Sequence, residues 1–439
     1  MAMTFTEEYS IQNNSKNSKM SNLVIAGNFV GHKGNFSGKV VINTETGLIE
    51  RVSRLEDRLS EDEYRELIPD YHFEFPNLIF PGFIDIHVHA REDESQKQSY
   101  KEDFFTASQA AINGGVVGFF DMPNNDPIPV TNLETWQRKK ELVEKSLVDV
   151  VPYYAIMPGS VPFEINAPAK IYMGHSVGNI GFERDEDIEE VLSQYEGKFV
   201  AFHCESPNVM HEHESAATHE QKRPMRAEVE AIKQALRLIE KYDLEGHICH
   251  LSTAEGFKLI RQAKDRGVRV TSEVSPNHLY FTSKDRIDGF LQVNPPLRTK
   301  KNRRALMRAF SLGQIEYLAT DHAPHSIEEN EKGISGIPGL DTYGYFVTLL
   351  MHMGVDESII LKTCSYNPSL LASRFTGEKY GKIEEGYVGS LTVINTWNKT
   401  EITRDMLKTK CGWSPFEGLV FPGRIEATIV RGKVYSNFV

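Results

Sequence analysis

From residue 80 to residue 322 the chain alternates short apolar runs with longer amphipathic stretches. The runs FIDIHVH (83–89), VGFFDM (117–122), DVVPYYAI (149–156), AKIYMG (169–174), FVAFHCE (199–205), HICHLS (247–252), VRVTSEVS (268–275) and IEYLATD (315–321) read as buried strands. Between them, YKEDFFTASQAAIN (100–113), NLETWQRKKELVEKS (132–146), DEDIEEVLSQYE (185–196), RAEVEAIKQALRLIEKY (226–242) and AEGFKLIRQAKDRG (254–267) carry apolar residues at helical spacing. A strand followed by a helix, repeated, favours a parallel sheet, and eight strands favour its closure into a (β/α)8 barrel of the TIM type. Two links are irregular. The two ends look different. NLVIAGNFV (22–30), GKVVINTETGLIERVS (38–53), GSLTVINTW (389–397) and RIEATIVRGKVYSN (424–437) are strand-like, with Gly and Asn turns. The pattern predicts a flexible polar extension over 1–21, a small β domain from 22–79 together with 383–439, and a catalytic barrel over 80–382.

Composition adds exclusions. The 439 residues are 40% hydrophobic and 25% charged, ordinary for a globular protein. The net charge is -12 and no long basic run stands out, which disfavours nucleic-acid binding. An anionic small-molecule substrate stays compatible, because local arginines decide that. The four cysteines, Cys204, Cys249, Cys364 and Cys411, lack C-x-x-C spacing and suit a reducing compartment. No run of about 18 apolar residues spans a membrane, and the first residues lack the pattern of a signal peptide. A cytoplasmic location is expected.

Chemistry enters with PGFIDIHVHARED, residues 81–93. On a strand, residues i and i+2 share a face, so His87 and His89 present two imidazoles together, beside Asp85. They suit a divalent metal or, equally, a pair of hydrogen-bonded core histidines. What favours a metal is position: His87, His89, Lys170, His203, His250 and Asp321 all fall at the C-terminal ends of strand runs, the face where barrel enzymes gather catalytic groups. Lys170 is an odd residue for a core strand. It would either pair with a buried acid or, after reaction with carbon dioxide, become an anionic carbamate able to bridge two metals.

PGFIDIHVHARED, KEDF, DMPNNDP, AKIYMG, AFHCES, GHICHLSTAEG, SEVSPNHL, VNPPLRT, ATDHAPHS, GIPGLDT and GWSPFEGLVFPGRIEATIVRGKV resemble, in this order, the amidohydrolase superfamily and within it the dihydroorotases. The likeness runs from about residue 23 to the C-terminus. It implies zinc-dependent, reversible hydrolysis of the cyclic amide of (S)-dihydroorotate to N-carbamoyl-L-aspartate, a step of de novo pyrimidine biosynthesis. By the same resemblance two zinc ions per subunit are expected, bridged by carboxylated Lys170. His87 and His89 match ligands of the more buried zinc, His203 and His250 those of the second, and Asp321 the carboxylate that binds metal and shuttles the proton. A hydroxide held by the zinc pair is then the nucleophile. Arg91, Asn124 and His325 match groups holding the substrate carboxylate. Asn294 and the backbone near Ile337 and Pro338 match contacts to the ring. A homodimer and association with other pyrimidine-pathway enzymes are compatible with the resemblance. Departures are Ala90 where Leu is usual, Asn125 where Thr is usual, and Asn277 in place of a histidine. None removes a matched ligand.

Alternatives are another cyclic amidase, such as a hydantoinase or dihydropyrimidinase, and a non-catalytic structural homologue. Arg91 argues against the first, whose substrates lack the carboxylate that a guanidinium grips. The complete ligand set argues against the second. Other features read as structural. HEHESAATHE (211–220) is expected to be a solvated or lid-like loop, and His278 a supporting residue. Cys249 should point away from His250 by strand alternation, with a contribution alongside Glu273 to an extra metal position as the less favoured option. His175 and Asn179 are expected to shape the loop over the site. NGGVVG (113–118) should relieve crowding between a helix and the next strand.

Overall fold

The structure is a computed structural model describing residues 22–55, 57, 67–174, 180–285 and 291–436. The N-terminal extension and the pair His175 and Asn179 lie outside the described residues.

All eight apolar runs become barrel strands. β1 (Asn22–Phe29), β2 (Phe36–Asn43), β3 (Ile49–Arg54), β4 (Tyr71–Phe73) and β5 (Asn77–Pro81) precede them. The barrel follows as β6 (Phe83–Val88), β7 (Val116–Asp121), β8 (Asp149–Pro152) with β9 (Tyr154–Ile156), β10 (Ala169–Tyr172), β11 (Phe199–His203), β12 (Glu245–Ile248), β13 (Val270–Val274) and β14 (Tyr317–Leu318). β8 and β9 form one extended run that changes partner at Tyr153: the first half pairs with β7 and the second with β10. Every pairing from β6 round to β14 is parallel. Closure comes from a parallel bridge between Val88 and His322, where His89 N donates to His322 O at 2.8 Å.

The strands are buried on both faces because helices cover the outside, so β6, β7, β10 and β11 have no exposed residue at all. Local signals start the helices. Asp103 caps Phe104–Asn113 in a capping box with Thr106, Asn132 does the same for Leu133–Val143, and Thr253 caps Ala254–Asp265. Residues 157–168, between β9 and β10, contain no helix, which is one irregular link.

Both chain ends build one sheet. Its order is β19-β18-β15-β5-β1-β2-β3, with β4 paired to β1; β15 is Leu391–Asn395, β18 is Arg424–Val430 and β19 is Lys433–Ser436. A short antiparallel pair, β16 (Thr400–Glu401) and β17 (Val420–Phe421), lies between β15 and β18 in the chain. Thr392 on β15 joins sheet to barrel: its Oγ1 accepts from Phe83 N at 3.0 Å and donates to Gly115 O at 2.6 Å. In the NGGVVG turn a Cβ on Gly114 would lie 1.9 Å from Leu340 O, and Gly115 has φ +80, so the backbone there is crowded as well as turned. Among the described residues no helix is long and apolar enough to cross a membrane.

Candidate active site

A cleft of about 240 Å³ opens at the C-terminal ends of the barrel strands. His87, His89, Arg91, Asn124, His203, His250, Asn294 and Asp321 all line it, brought together from stretches far apart in the chain. Strand alternation sends Asp85, His87 and His89 inward from β6. Beyond the strand ends the backbone does something else. Arg91 (φ 61), His250 (φ 33) and Asp321 (φ 52) are left-handed non-glycine residues. Such conformations are costly and concentrate at functional sites, where the surrounding structure enforces them.

The inner group centres on Asp321, whose Oδ1 lies 3.3 Å from both His87 Nε2 and His89 Nε2. Donor atoms of His87, His89 and Asp321 are all within 4.8 Å of one another. His87 Nδ1 meets Glu273 Oε1 at 2.5 Å, and His89 Nδ1 meets Asn124 Oδ1 at 2.7 Å. Each imidazole is thus oriented from behind, leaving Nε2 forward, the arrangement that metal-binding histidines use. Burial holds the His89 imidazole down at about 3, so its lone pair is available to a cation. Burial pushes the Asp321 carboxyl up, but His87 and His89 beside it outweigh burial and hold it below the usual carboxylate value.

In the outer group, His203 Nδ1 and His250 Nε2 face each other at 2.8 Å, while His203 Nε2 contacts Glu205 Oε2 at 2.9 Å. Glu205 in turn pairs with Arg223. Lys170 sits beneath, fully buried. Its Nζ donates to Cys249 Sγ at 2.8 Å, and among the described residues no carboxylate pairs with it. The ordinary ion pair expected of a buried lysine is therefore not what holds Lys170. Two features fit a divalent cation: forward-facing imidazole nitrogens and a shared carboxylate.

Cys249 overturns the alternation argument. Cys249 directly follows β12, which ends at Ile248, and precedes a left-handed residue, His250. The left-handed turn at His250 lets both side chains face inward, and donors of Cys249, His87 and Glu273 lie within 4.8 Å of one another. Burial raises the Cys249 thiol, but the Lys170 charge together with hydrogen bonds from His247 and His87 brings it down to about 6.

Arg91 forms the cleft wall. Its Nε donates to Pro324 O at 3.3 Å and its Nη2 to His325 Nε2 at 3.1 Å, and among the described residues it makes no ion pair. His325 stands behind it. Asn294 Oδ1 is buried without a hydrogen-bond partner. Ile337 and Pro338 are buried behind the wall, with Ile337 O accepting from Ala323 N at 3.0 Å; Ser335 and Gly336 are what this segment shows to the cleft. His278 is braced on both sides, by Ser275 Oγ at 2.9 Å and Pro295 O at 3.0 Å. In the 211–220 stretch, His219 Nε2 reaches Val293 O at 3.1 Å, which docks the stretch beside Asn294.

Tyr172, Arg223, Ser335 and Gly336 also line the cleft and were not singled out from sequence. For Tyr172 a signal existed: it follows Lys170 by two residues on β10 and shares its face. Arg223, in a polar stretch, carried none.

A model of the amidohydrolase family matches residues 78–435. A dihydroorotase of Thermococcus kodakarensis is 34% identical over 423 residues, 94% of each chain. A dihydroorotase of Bacillus subtilis is 32% identical, covering 81% of this chain and 86% of that one. Among solved structures, L-hydantoinase from Arthrobacter aurescens superposes with a TM-score of 0.84 at 22% identity, covering 95% and 96%; at that identity the likeness concerns the fold. The chain belongs to the amidohydrolase family, as a cyclic amide hydrolase of the dihydroorotase group.

Proposed function

We propose that the protein interconverts (S)-dihydroorotate and N-carbamoyl-L-aspartate in pyrimidine biosynthesis, in the cytoplasm, with two zinc ions. His87, His89, Lys170, His203, His250 and Asp321 are the residues to hold them, with Lys170 as an N-carboxylate. Zinc supplies Lewis acidity toward a carbonyl and brings the pKa of water to about 7. The lysine assignment is supported by the absence of any carboxylate paired with Lys170 among the described residues and by its complete burial. The Lys170 ammonium would lose one proton to become a free amine and a second on adding to carbon dioxide, which turns a buried cation into an anion near the histidines.

The observation that carries the substrate assignment is Arg91: a buried guanidinium on the cleft wall, held by a carbonyl and an imidazole, with no acid paired to it among the described residues. A buried cation of this kind awaits an anion. The substrate carboxylate meets Arg91, with Asn124 and His325 beside it. Asn294 Oδ1, unpartnered, accepts a ring N–H. Asp321 takes a proton as water attacks the ring carbonyl and returns it to the departing ring nitrogen, acting as base and then acid.

Spectrophotometric assay of metal-replete protein with dihydroorotate, together with metal analysis, tests this. Arg91→Ala is expected to raise KM for dihydroorotate about 10- to 100-fold, the loss of one charge-assisted contact, and to leave an uncharged cyclic amide unaffected. Turnover of dihydrouracil or a hydantoin without turnover of dihydroorotate assigns the protein to the hydantoinase side instead. Absence of zinc from active protein overturns the metal assignment.

A further inference from the structure

His325 faces two permanent donors. Arg91 Nη2 points at its Nε2 from 3.1 Å, and Lys101 Nζ points at its Nδ1 from 3.2 Å. A neutral imidazole has one N–H and one lone pair, so it cannot accept from both. The ring is neutral here: burial, then the charges of Arg91 and Lys101, hold it well below the ordinary histidine value. Glu329 supplies the other half of the arrangement. Its Oε2 lies 3.4 Å from His325 Nδ1, and its Oε1 pairs with Lys101 Nζ at 2.9 Å. Tyr100 OH donates to Oε1 at 2.6 Å and Ser326 N to Oε2 at 3.0 Å, which fixes the carboxylate in place.

Two tautomers therefore have complete partners, each under a different condition. With Nδ1–H directed at Glu329, Nε2 accepts from Arg91 and nothing else is needed. With Lys101 donating to Nδ1, the proton sits on Nε2 and faces Arg91, donor to donor, until an anion comes between them. A carboxylate gripped by Arg91 is such an anion. Resting on the assignment of a carboxylated substrate, we propose that Lys101 is a positioning residue that sets the tautomer of His325, turning it from an acceptor for Arg91 into an Nε2–H donor to the substrate carboxylate. The proton balance closes: one proton leaves Nδ1 and one arrives at Nε2, exchanged with water in the open cleft, and the ring's charge is unchanged. Lys101 touches no substrate. It acts through His325, and Glu329 stabilises the opposite tautomer.

The test uses full-length, metal-replete protein labelled with 15N-histidine, with the His325 resonances assigned by their loss in His325→Asn. Adding dihydroorotate to the wild type is expected to move His325 from the Nδ1–H to the Nε2–H pattern. Lys101→Met should keep the Nδ1–H pattern and raise KM about 10- to 100-fold, with kcat within about threefold and zinc content unchanged. Lys101→Arg should restore both readouts. In a His325→Asn background Lys101→Met should cost nothing further. Glu329→Gln approaches from the other side and should populate Nε2–H without substrate, which keeps the idea testable if Lys101→Met does not fold. A shift to the Nε2–H pattern in Lys101→Met on adding dihydroorotate, as in the wild type, a fall in kcat at constant KM, or a full additional loss in the His325→Asn background overturns the proposal. A wild type that does not turn over dihydroorotate defeats the functional assignment, a different failure.

Discussion

At the scale of single residues, three of the cleft's histidines are each paired with a second group that aims them. Glu273 aims His87, Asn124 aims His89 and Glu205 aims His203, at 2.5, 2.7 and 2.9 Å. Asp321 lies beside the Nε2 atoms of both inner histidines, which is a place for a group that passes a proton. Asp321→Asn keeps the size of the side chain and removes its basicity. Turnover is expected to fall by about 10²- to 10⁴-fold, the usual range for losing one acid–base group, with circular dichroism unchanged; near-normal turnover would move the proton-transfer role elsewhere. The histidines that meet at the cleft were legible from type alone, since histidines at the ends of apolar runs have few structural reasons to be there. The groups behind them were less so. Glu273 and Glu205 sit in apolar runs, but nothing in the order of residues says which imidazole each one meets.

At the scale of elements, the strands carry the groups to the rim and short left-handed turns aim them. Alternation accounts for His87 and His89. It fails at Cys249, where the left-handed turn at His250 brings both side chains inward. The segment after β14 shows the same logic. Gly336 has φ +130, and a Cβ there would lie 2.7 Å from Ala323 O and 2.9 Å from His325 Cδ2. Gly336→Ala is expected to destabilise the protein by about 1–3 kcal/mol, as overpacking does, and to displace His325 from Arg91. Thermal melting should show the first effect, and a raised KM for dihydroorotate at nearly constant kcat the second. An unchanged KM would mean that this segment does not set the wall's position.

At the scale of the whole molecule, the sheet made from both chain ends packs beside the starts of β6 and β7, at the end of those strands away from the cleft. Thr392 is one rivet between them, satisfying Phe83 N and Gly115 O together. Thr392→Val leaves both backbone groups buried and unpaired, at a cost of about 1–3 kcal/mol for each. The expected result is a lower melting temperature with kcat/KM at 25 °C unchanged, because Phe83 is at the opposite end of β6 from His87. A loss of activity in the folded variant would show that the sheet is coupled to the cleft.

The sequence by itself determined the eight strands, the helices between them and the identity of the metal-suited side chains. Hydrophobic period and residue type are local properties, and burial on both strand faces leaves an unbroken apolar run that is visible without coordinates. Only the tertiary structure decided which groups meet. The inward turn of Cys249, the placing of Ser335 and Gly336 rather than Ile337 and Pro338 on the cleft wall, and the approach of Lys101 and Arg91 to opposite sides of one imidazole depend on barrel closure and on strand ends where periodicity has lapsed. Closure brings together residues more than two hundred positions apart, such as Arg91 and His325. Their distance and orientation follow from packing across the whole barrel, which no short stretch of sequence contains.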